Sequence, residues 1–296
     1  MLKLINLILF RIRYYKLCTY PLSYYLRRLQ NIPRVICKDR VVVTFTTIPE
    51  RISHIDVMLK SILDQSVRPD KIYLCIPEIS RRTQSAYVIP DWFKQVKILE
   101  IIKTPQDFGP ITKLIPTWLK EKHGENTRII IVDDDHVYSR YLIESLVLWS
   151  ERFSGAALGL TGVLVPSNCL PTDIVHGPGN FLNSLCIRSS NINALSYVDY
   201  FLGFAGVLFR SKFFNETILD YSNTPAGAFF EDDLWIGGHL AKANIDRFII
   251  PPLGKRLMPK SCKKTIDTPA LSLEENKGGE NMDAVYKYLF RGGFNE

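Results

Sequence analysis

The sequence predicts an α/β fold, a mostly parallel central sheet flanked by helices, and two observations predict it. Short β-branched apolar runs alternate along the chain with stretches whose apolar residues recur at helical spacing. One of those runs, Arg128-Ile-Ile-Ile-Val132, delivers three aspartates, Asp133-Asp134-Asp135, at its carboxyl end. That is where open α/β sheets hold their ligands. At 296 residues the chain can bury a full core, as one large domain or two small ones.

The elements follow in order. Val41 to Thr46 is a strand, and Thr47-Ile-Pro-Glu-Arg51 is the loop after it. Ser53 with Asp56 is a capping-box signature, and Ile55, Met58, Leu59, Ile62 and Leu63 then give one apolar helix face. Gln65 to Asp70 turn the chain, and Lys71 to Pro77 is the second strand. Glu78 to Lys94 is a loop or short helix, and Val96 to Ile102 a third strand. Asp107-Phe-Gly-Pro110 is a turn before a helix from Ile111 to Lys122, interrupted early by Pro116. Ile129 to Val132 is the strand that carries the aspartates, and Tyr141 to Phe153 is a helix. Gly155 to Pro178 is rich in Gly, Pro and small residues, with short strands expected. Tyr200 to Phe209 is apolar and Gly-bearing, the texture of a segment that lines a ligand. Glu231 to Leu240 opens a helix whose Gly237 and Gly238 each cost about 1 kcal/mol relative to Ala, so close packing must require them. Three regions result: a basic arm over 1–38, a body over 39–254 and a polar, peripheral tail over 255–296.

The net charge of +7 suggests nucleic acid until it is mapped. Eight cations, Lys3, Arg11, Arg13, Lys16, Arg27, Arg28, Arg34 and Lys38, precede the first acid, Asp39. The body is therefore near neutral, and no nucleic-acid partner is expected. In the arm the apolar stretch Leu4 to Phe10 is too short to span a bilayer, and no secretory cleavage pattern is evident. An acid-free, aromatic, basic segment over residues 1–29 suits an anionic membrane surface. A helix docked on the body and an organellar transit peptide are the alternatives. The six cysteines form no CxxC pair, which implies reduced thiols, no structural zinc and a cytosolic setting, peripheral at the membrane if the arm binds lipid.

Like charges at a strand's end repel, so the fold alone gains nothing from Asp133-Asp134-Asp135; a hard divalent cation, Mn²⁺ or Mg²⁺, changes that balance. Asp133 and Asp135 are two apart and point the same way in extended chain. The plainer alternative is a polar strand-to-helix turn with Asp135 as an N-cap. Glu231-Asp232-Asp233 form a second acidic group. Acids complement the dipole in a first helical turn, but one beside a cleft can also act as a general base. The histidines His54, His123, His136, His176 and His239 show no metal spacing, and His136 reads as a neighbour of the aspartates rather than a ligand. No dinucleotide, Walker or nucleophile-elbow signature is present.

Together, Val42-Val-Thr-Phe-Thr-Thr-Ile-Pro-Glu-Arg51, Asp107-Phe-Gly-Pro-Ile-Thr-Lys113, Val132-Asp-Asp-Asp-His136 and Glu231-Asp-Asp233 resemble inverting, metal-dependent nucleotide-sugar glycosyltransferases of the GT-A fold, the large family-two type. The resemblance spans roughly Val41 to Ile250 and leaves arm and tail uncovered. It implies a Rossmann-like sheet with a smaller acceptor-side region, and a nucleotide-sugar donor, with UDP favoured. The acceptor would be a glycan, a lipid-linked glycan or a protein. It implies that Thr47, Pro49 and Arg51 border base and ribose, and that Asp107 and Lys113 lie near the nucleotide, with Lys113 toward phosphate. Asp133 and Asp135 correspond to the Asp-x-Asp pair at the metal, and Asp134 touches sugar or ribose. Asp232 corresponds to the catalytic base, with Asp233 the rival assignment. The competing function is a metal-dependent phosphohydrolase or nuclease built on Asp133 to Asp135.

Overall fold

The computed structural model describes residues 2–35, 37–124, 126–175, 185–253, 257–262 and 280–292. His176, residues 176–178 of the Gly- and Pro-rich stretch and much of the 255–296 tail lie outside the described residues. Two helices, α1 (Leu2–Thr19) and α2 (Leu22–Asn31), precede the body, broken apart at Pro21. Then come β1 (Val41–Phe45), α3 (Asp56–Leu63), β2 (Lys71–Pro77), β3 (Leu99–Thr104), α4 (Ile115–Glu121) and β4 (Arg128–Ile131). A two-residue β5 (His136–Val137) leads to α5 (Leu142–Arg152), β6 (Ala156–Gly159), β7 (Thr161–Val163) and the short α6 (Pro171–Val175). Next are β8 (Cys186–Arg188), β9 (Ser196–Tyr197), β10 (Tyr200–Phe201) and β11 (Val207–Arg210). The chain continues through α7 (Asp232–Lys242), β12 (Asp246–Ile249), β13 (Lys260–Ser261) and α8 (Glu280–Phe290).

Eight strands form the central sheet in the order β3-β2-β1-β4-β11-β6-β12-β9. β3, β2, β1 and β4 are mutually parallel, and β12 runs parallel to β6; β11 and β9 run antiparallel to their neighbours. A smaller three-stranded sheet, β10-β7-β8, stands beside it. The predicted α/β class and mostly parallel sheet are thus the observed ones.

Period-two alternation sends side chains to opposite faces. Val41, Val43, Phe45 and Ile130 pack with α3 and α5 on one face. Val42, Ile129 and Ile131 pack with α4, α7 and α8 on the other. Both faces are covered, which is why these strands read as unbroken apolar runs. Each fully buried Val, Ile or Leu contributes about 1.5–3 kcal/mol relative to exposure.

Four expectations need correction. The capping box does not form: Ile55 occupies the N-cap of α3, and Asp56 instead pairs with Lys60 one turn on, at 2.9 Å. Pro116 does not interrupt a helix; it sits in the first turn of α4, where its missing N–H is harmless. Asp135 caps no helix, because β5 follows it and pairs with β13. The tail is not peripheral where it is described: α8 packs on α7 and buries Val285, Tyr286 and Leu289. The expected close packing at Gly237 and Gly238 is present. A Cβ there would lie 2.7 Å from the Tyr200 side chain and 2.8 Å from Leu289.

The arm is docked on the body. Leu17 and Tyr25 are buried, and Arg13 reaches Asp64 at 2.8 Å and the carbonyl of Tyr138 at 2.6 Å. No described helix is long and apolar enough to cross a membrane.

Candidate active site

The strand order supplies a crevice. From β1 the chain steps outward to β2 and β3, then returns to place β4 on the other side of β1. Side-by-side strands whose connections leave in opposite directions open a gap at their carboxyl ends, the ligand position of open α/β sheets. The continuations of β1 and β4, Thr46 to Arg51 and Asp133 to Asp135, meet there in a cavity of 530 Å³. Glu231, Asp232 and Asp233 close it from the start of α7. The two acidic groups, about a hundred residues apart in the chain, therefore face one space.

Asp134 ties the two loops. Its carboxylate accepts from Thr47 Oγ1 at 2.6 Å and from Arg51 Nη1 at 3.3 Å. Burial pushes its carboxyl up to about 6, against the pull of Arg51. With both oxygens engaged, it serves as an internal strut. Arg51 also lies 3.7 Å from Asp135. Burial raises the Asp135 carboxyl, but the His136 contact at 2.5 Å and Arg51 outweigh it and hold the group low. His136 stacks near Phe204, at 5.1 Å between ring centres. Buried Tyr138 fixes the neighbouring backbone: its hydroxyl accepts from the Asp133 N–H at 2.7 Å and donates to the Phe204 carbonyl at 2.9 Å.

Lys113 joins the acidic groups. Thr44 Oγ1 donates to its carbonyl at 2.7 Å, anchoring the turn ahead of α4. The buried ammonium lies 2.7 Å from Asp133 Oδ1 and 3.0 Å from Asp232 Oδ2. The second contact is an ion pair without hydrogen-bond geometry, so Asp232 Oδ2 otherwise has no hydrogen-bond partner. Burial alone would lower the Lys113 pKa, but Asp133, Asp232 and Asp233 raise it well above the ordinary lysine value.

Asp233 differs from Asp232. Its Oδ1 accepts from the Gly203 N–H at 2.9 Å, and burial together with Asp232 raises its pKa well above the carboxylate range. Gly203 is required there: a Cβ would stand 2.8 Å from Asp233 Oδ1. Burial and Asp232 push Glu231 up to about 7, and its Oε1 has no hydrogen-bond partner.

Of the residues singled out in the sequence, Thr47, Arg51, Asp107, Lys113, Asp133, Asp134, Asp135, Asp232 and Asp233 all line the cavity, whereas Pro49 does not. Asp107 shapes the rim by accepting from the N–H groups of Arg81 and Gly109, each at 2.7 Å. Phe204, inside the Tyr200 to Phe209 segment expected to line a ligand, does line the cavity, whereas the sequence carried no reading of Arg81, Arg82, Tyr87, Phe229, Phe230 and Met282. Arg81 lies over the Phe229 ring at 4.6 Å. The missed signal was positional: Arg81-Arg82 follow the carboxyl end of β2, where ligand-facing residues belong.

Seven lining carboxyl groups face four cationic side chains, an excess of three. Asp133 and Asp135 keep 28% and 35% of their side-chain surface exposed, and both line the cavity. Among the described residues, no three His, Cys, Asp or Glu side chains are grouped to hold a metal. Two part-exposed carboxylates on the cavity wall do fit Mg²⁺- or Mn²⁺-type binding, in which phosphates and water complete the shell.

No protein-family model matches the chain, and no curated protein matches it in sequence. Among solved structures it is similar to a mannosyltransferase of Pyrobaculum calidifontis in complex with GDP-Man and Mn²⁺. The identity is 17%, covering 85% of this chain and 67% of that one, with a TM-score of 0.43.

Proposed function

We propose that this chain is a metal-dependent glycosyltransferase that moves a sugar from a nucleoside diphosphate donor to an acceptor hydroxyl with inversion. The supporting observation is the convergence of Asp133–Asp135 and Glu231–Asp233 on one cavity, joined by Lys113 at 2.7 and 3.0 Å. An acid-rich cavity repels a diphosphate unless a cation intervenes. Held by Asp133 and Asp135, Mn²⁺ or Mg²⁺ would neutralise the charge that builds on the departing diphosphate.

Asp232 is the general base in this reading. It removes the proton of the acceptor hydroxyl as that oxygen bonds to the anomeric carbon; the bond from that carbon to the diphosphate oxygen breaks, and one displacement inverts the centre. Asp233, raised in pKa and held by Gly203, is the weaker candidate for that role. Arg81 and Arg82 offer positive charge to the nucleotide from the opposite rim.

A screen of activated sugars, UDP-sugars first, with Mn²⁺ or chelator and a panel of glycan, lipid-linked and peptide acceptors tests this. We expect metal-dependent nucleoside diphosphate release stimulated by acceptor. Asp232→Asn should lower turnover by about 10²–10⁴-fold while leaving donor affinity close to unchanged. Release that ignores every acceptor would instead favour a hydrolase, and a fully active Asp232→Asn would move the base elsewhere.

A further inference from the structure

Helix α1 is apolar on two opposite faces. Phe10 and Leu17 face the body, with Tyr14 and Cys18 against the same core. Ile5, Ile8, Leu9, Ile12 and Tyr15 face away and are 46, 48, 59, 48 and 66% exposed. Their spacing of three, one, three and three residues makes a single stripe along the helix. A helix on a water-facing surface ordinarily carries polar residues on that side. Exposed Arg11 and Lys16 border the stripe, and Arg27 is exposed on α2. Among the described residues these three have no carboxylate partner, whereas Arg13 and Arg28 are spent on Asp64 and Arg34 on Asp70.

We propose that the outer face of α1 is a docking surface for an anionic lipid bilayer. The helix lies in the interfacial plane, with Ile5, Ile8, Leu9, Ile12 and Tyr15 toward the acyl boundary and Arg11, Lys16 and Arg27 among the headgroups. Charge decides for lipid over a protein groove. Arg11, Lys16 and Arg27 keep their charge without a carboxylate partner among the described residues, while the body is near neutral in sequence, so the attraction is confined to the arm that carries the stripe. Arg13 fixes the orientation: it clamps α1 to Asp64 and to the carbonyl of Tyr138, whose hydroxyl meets the backbone of Asp133. A docked arm therefore holds the cavity at a set position relative to the lipid.

Co-sedimentation of the full chain with vesicles of phosphatidylcholine alone, or mixed with phosphatidylglycerol, tests the proposal. Binding is expected only to the mixed vesicles. It should weaken strongly as salt rises from about 0.1 M to about 1 M, because the screening length falls from about 10 Å to about 3 Å. Arg11→Gln with Lys16→Gln should weaken it by roughly 25-fold, since each cation near the surface is worth about fivefold. Ile8→Glu with Ile12→Glu should abolish it, with an unchanged melting temperature showing that the outer face does not hold the fold. Three outcomes would overturn the proposal: no binding to mixed vesicles, binding indifferent to both double variants, or a concentration-dependent dimer in light scattering that Ile8→Glu with Ile12→Glu dissolves.

Discussion

Lys113 is the residue on which the site turns. A buried ammonium between Asp133 and Asp232 is stable only because carboxylates surround it, and those carboxylates tolerate one another only because it is there. Removing one partner of a buried ionic cluster costs about 3–5 kcal/mol, since the remaining charges stay buried and unopposed. Lys113→Met should therefore lower stability by about 3 kcal/mol in chelator. Mn²⁺ should restore more stability to the variant than it adds to the native protein, because the freed carboxylates then hold the cation more tightly. Thermal melts of both proteins with and without Mn²⁺ check this; identical metal responses would mean that the lysine and the cation do not share these ligands. The sequence marked Lys113 for phosphate, and the geometry ties it first to two aspartates. A side chain's nearest partner depends on which distant segment folds over it, and no spacing rule carries that.

At the scale of elements, what was legible is what local pattern decides. β2 runs over the predicted residues, and β4 and α5 fall within one residue of their expected bounds at each end, because an apolar run with polar flanks has few other options. β3 starts at Leu99 rather than Val96, since Val96 closes the preceding 3₁₀ turn by donating to the Phe93 carbonyl. The apolar, Gly-bearing segment Tyr200 to Phe209 lines the cavity through Phe204, while its end, from Val207, belongs to β11, a central strand antiparallel between β4 and β6, a long-range pairing with no local signature. α8 was missed, although Met282, Val285, Tyr286 and Leu289 recur at helical spacing; the polar residues around them masked the stripe. The glycine pair in α7 was legible as a packing demand, and it makes a prediction. Gly237→Ala gains about 1 kcal/mol in helix propensity but forces a methyl to 2.7 Å from Tyr200. Overpacking of a tight core costs about 1–3 kcal/mol, so the variant should be less stable on balance, and a urea melt should show its midpoint shifted down. An upward shift would mean that β10 yields to the extra methyl.

Two buried groups, Glu231 and His239, contribute to the whole molecule's stability against pH with opposite signs. Glu231 has its pKa raised from 4.5 to about 7 by burial and Asp232. The native state therefore favours its protonated form, and the contribution is complete below about pH 4.5 and lost as pH rises through about 7. A shift of that size amounts to about 3 kcal/mol. His239 is the reverse case: burial lowers it from 6.5 to about 4, so its contribution is present above about pH 6.5 and lost as pH falls toward 4. Between pH 4.5 and 6.5 these two nearly cancel, while the raised Asp134 and Asp233 carboxyls also lose stability as pH rises; above pH 6.5 the His239 gain is complete and the Glu231 loss continues until about pH 7. Glu231→Gln keeps the size of the side chain and removes its charge. It should melt like the native protein near pH 4.5 and be more stable by about 3 kcal/mol at pH 8. With the Glu231 loss gone, the stability gap between the variant and the native protein should widen steadily from pH 4.5 to about 7. Melting temperatures of the two proteins across that range decide it. A native curve that climbs steadily to pH 8 would mean that Glu231 finds a cationic partner on folding and is ionised in the native state.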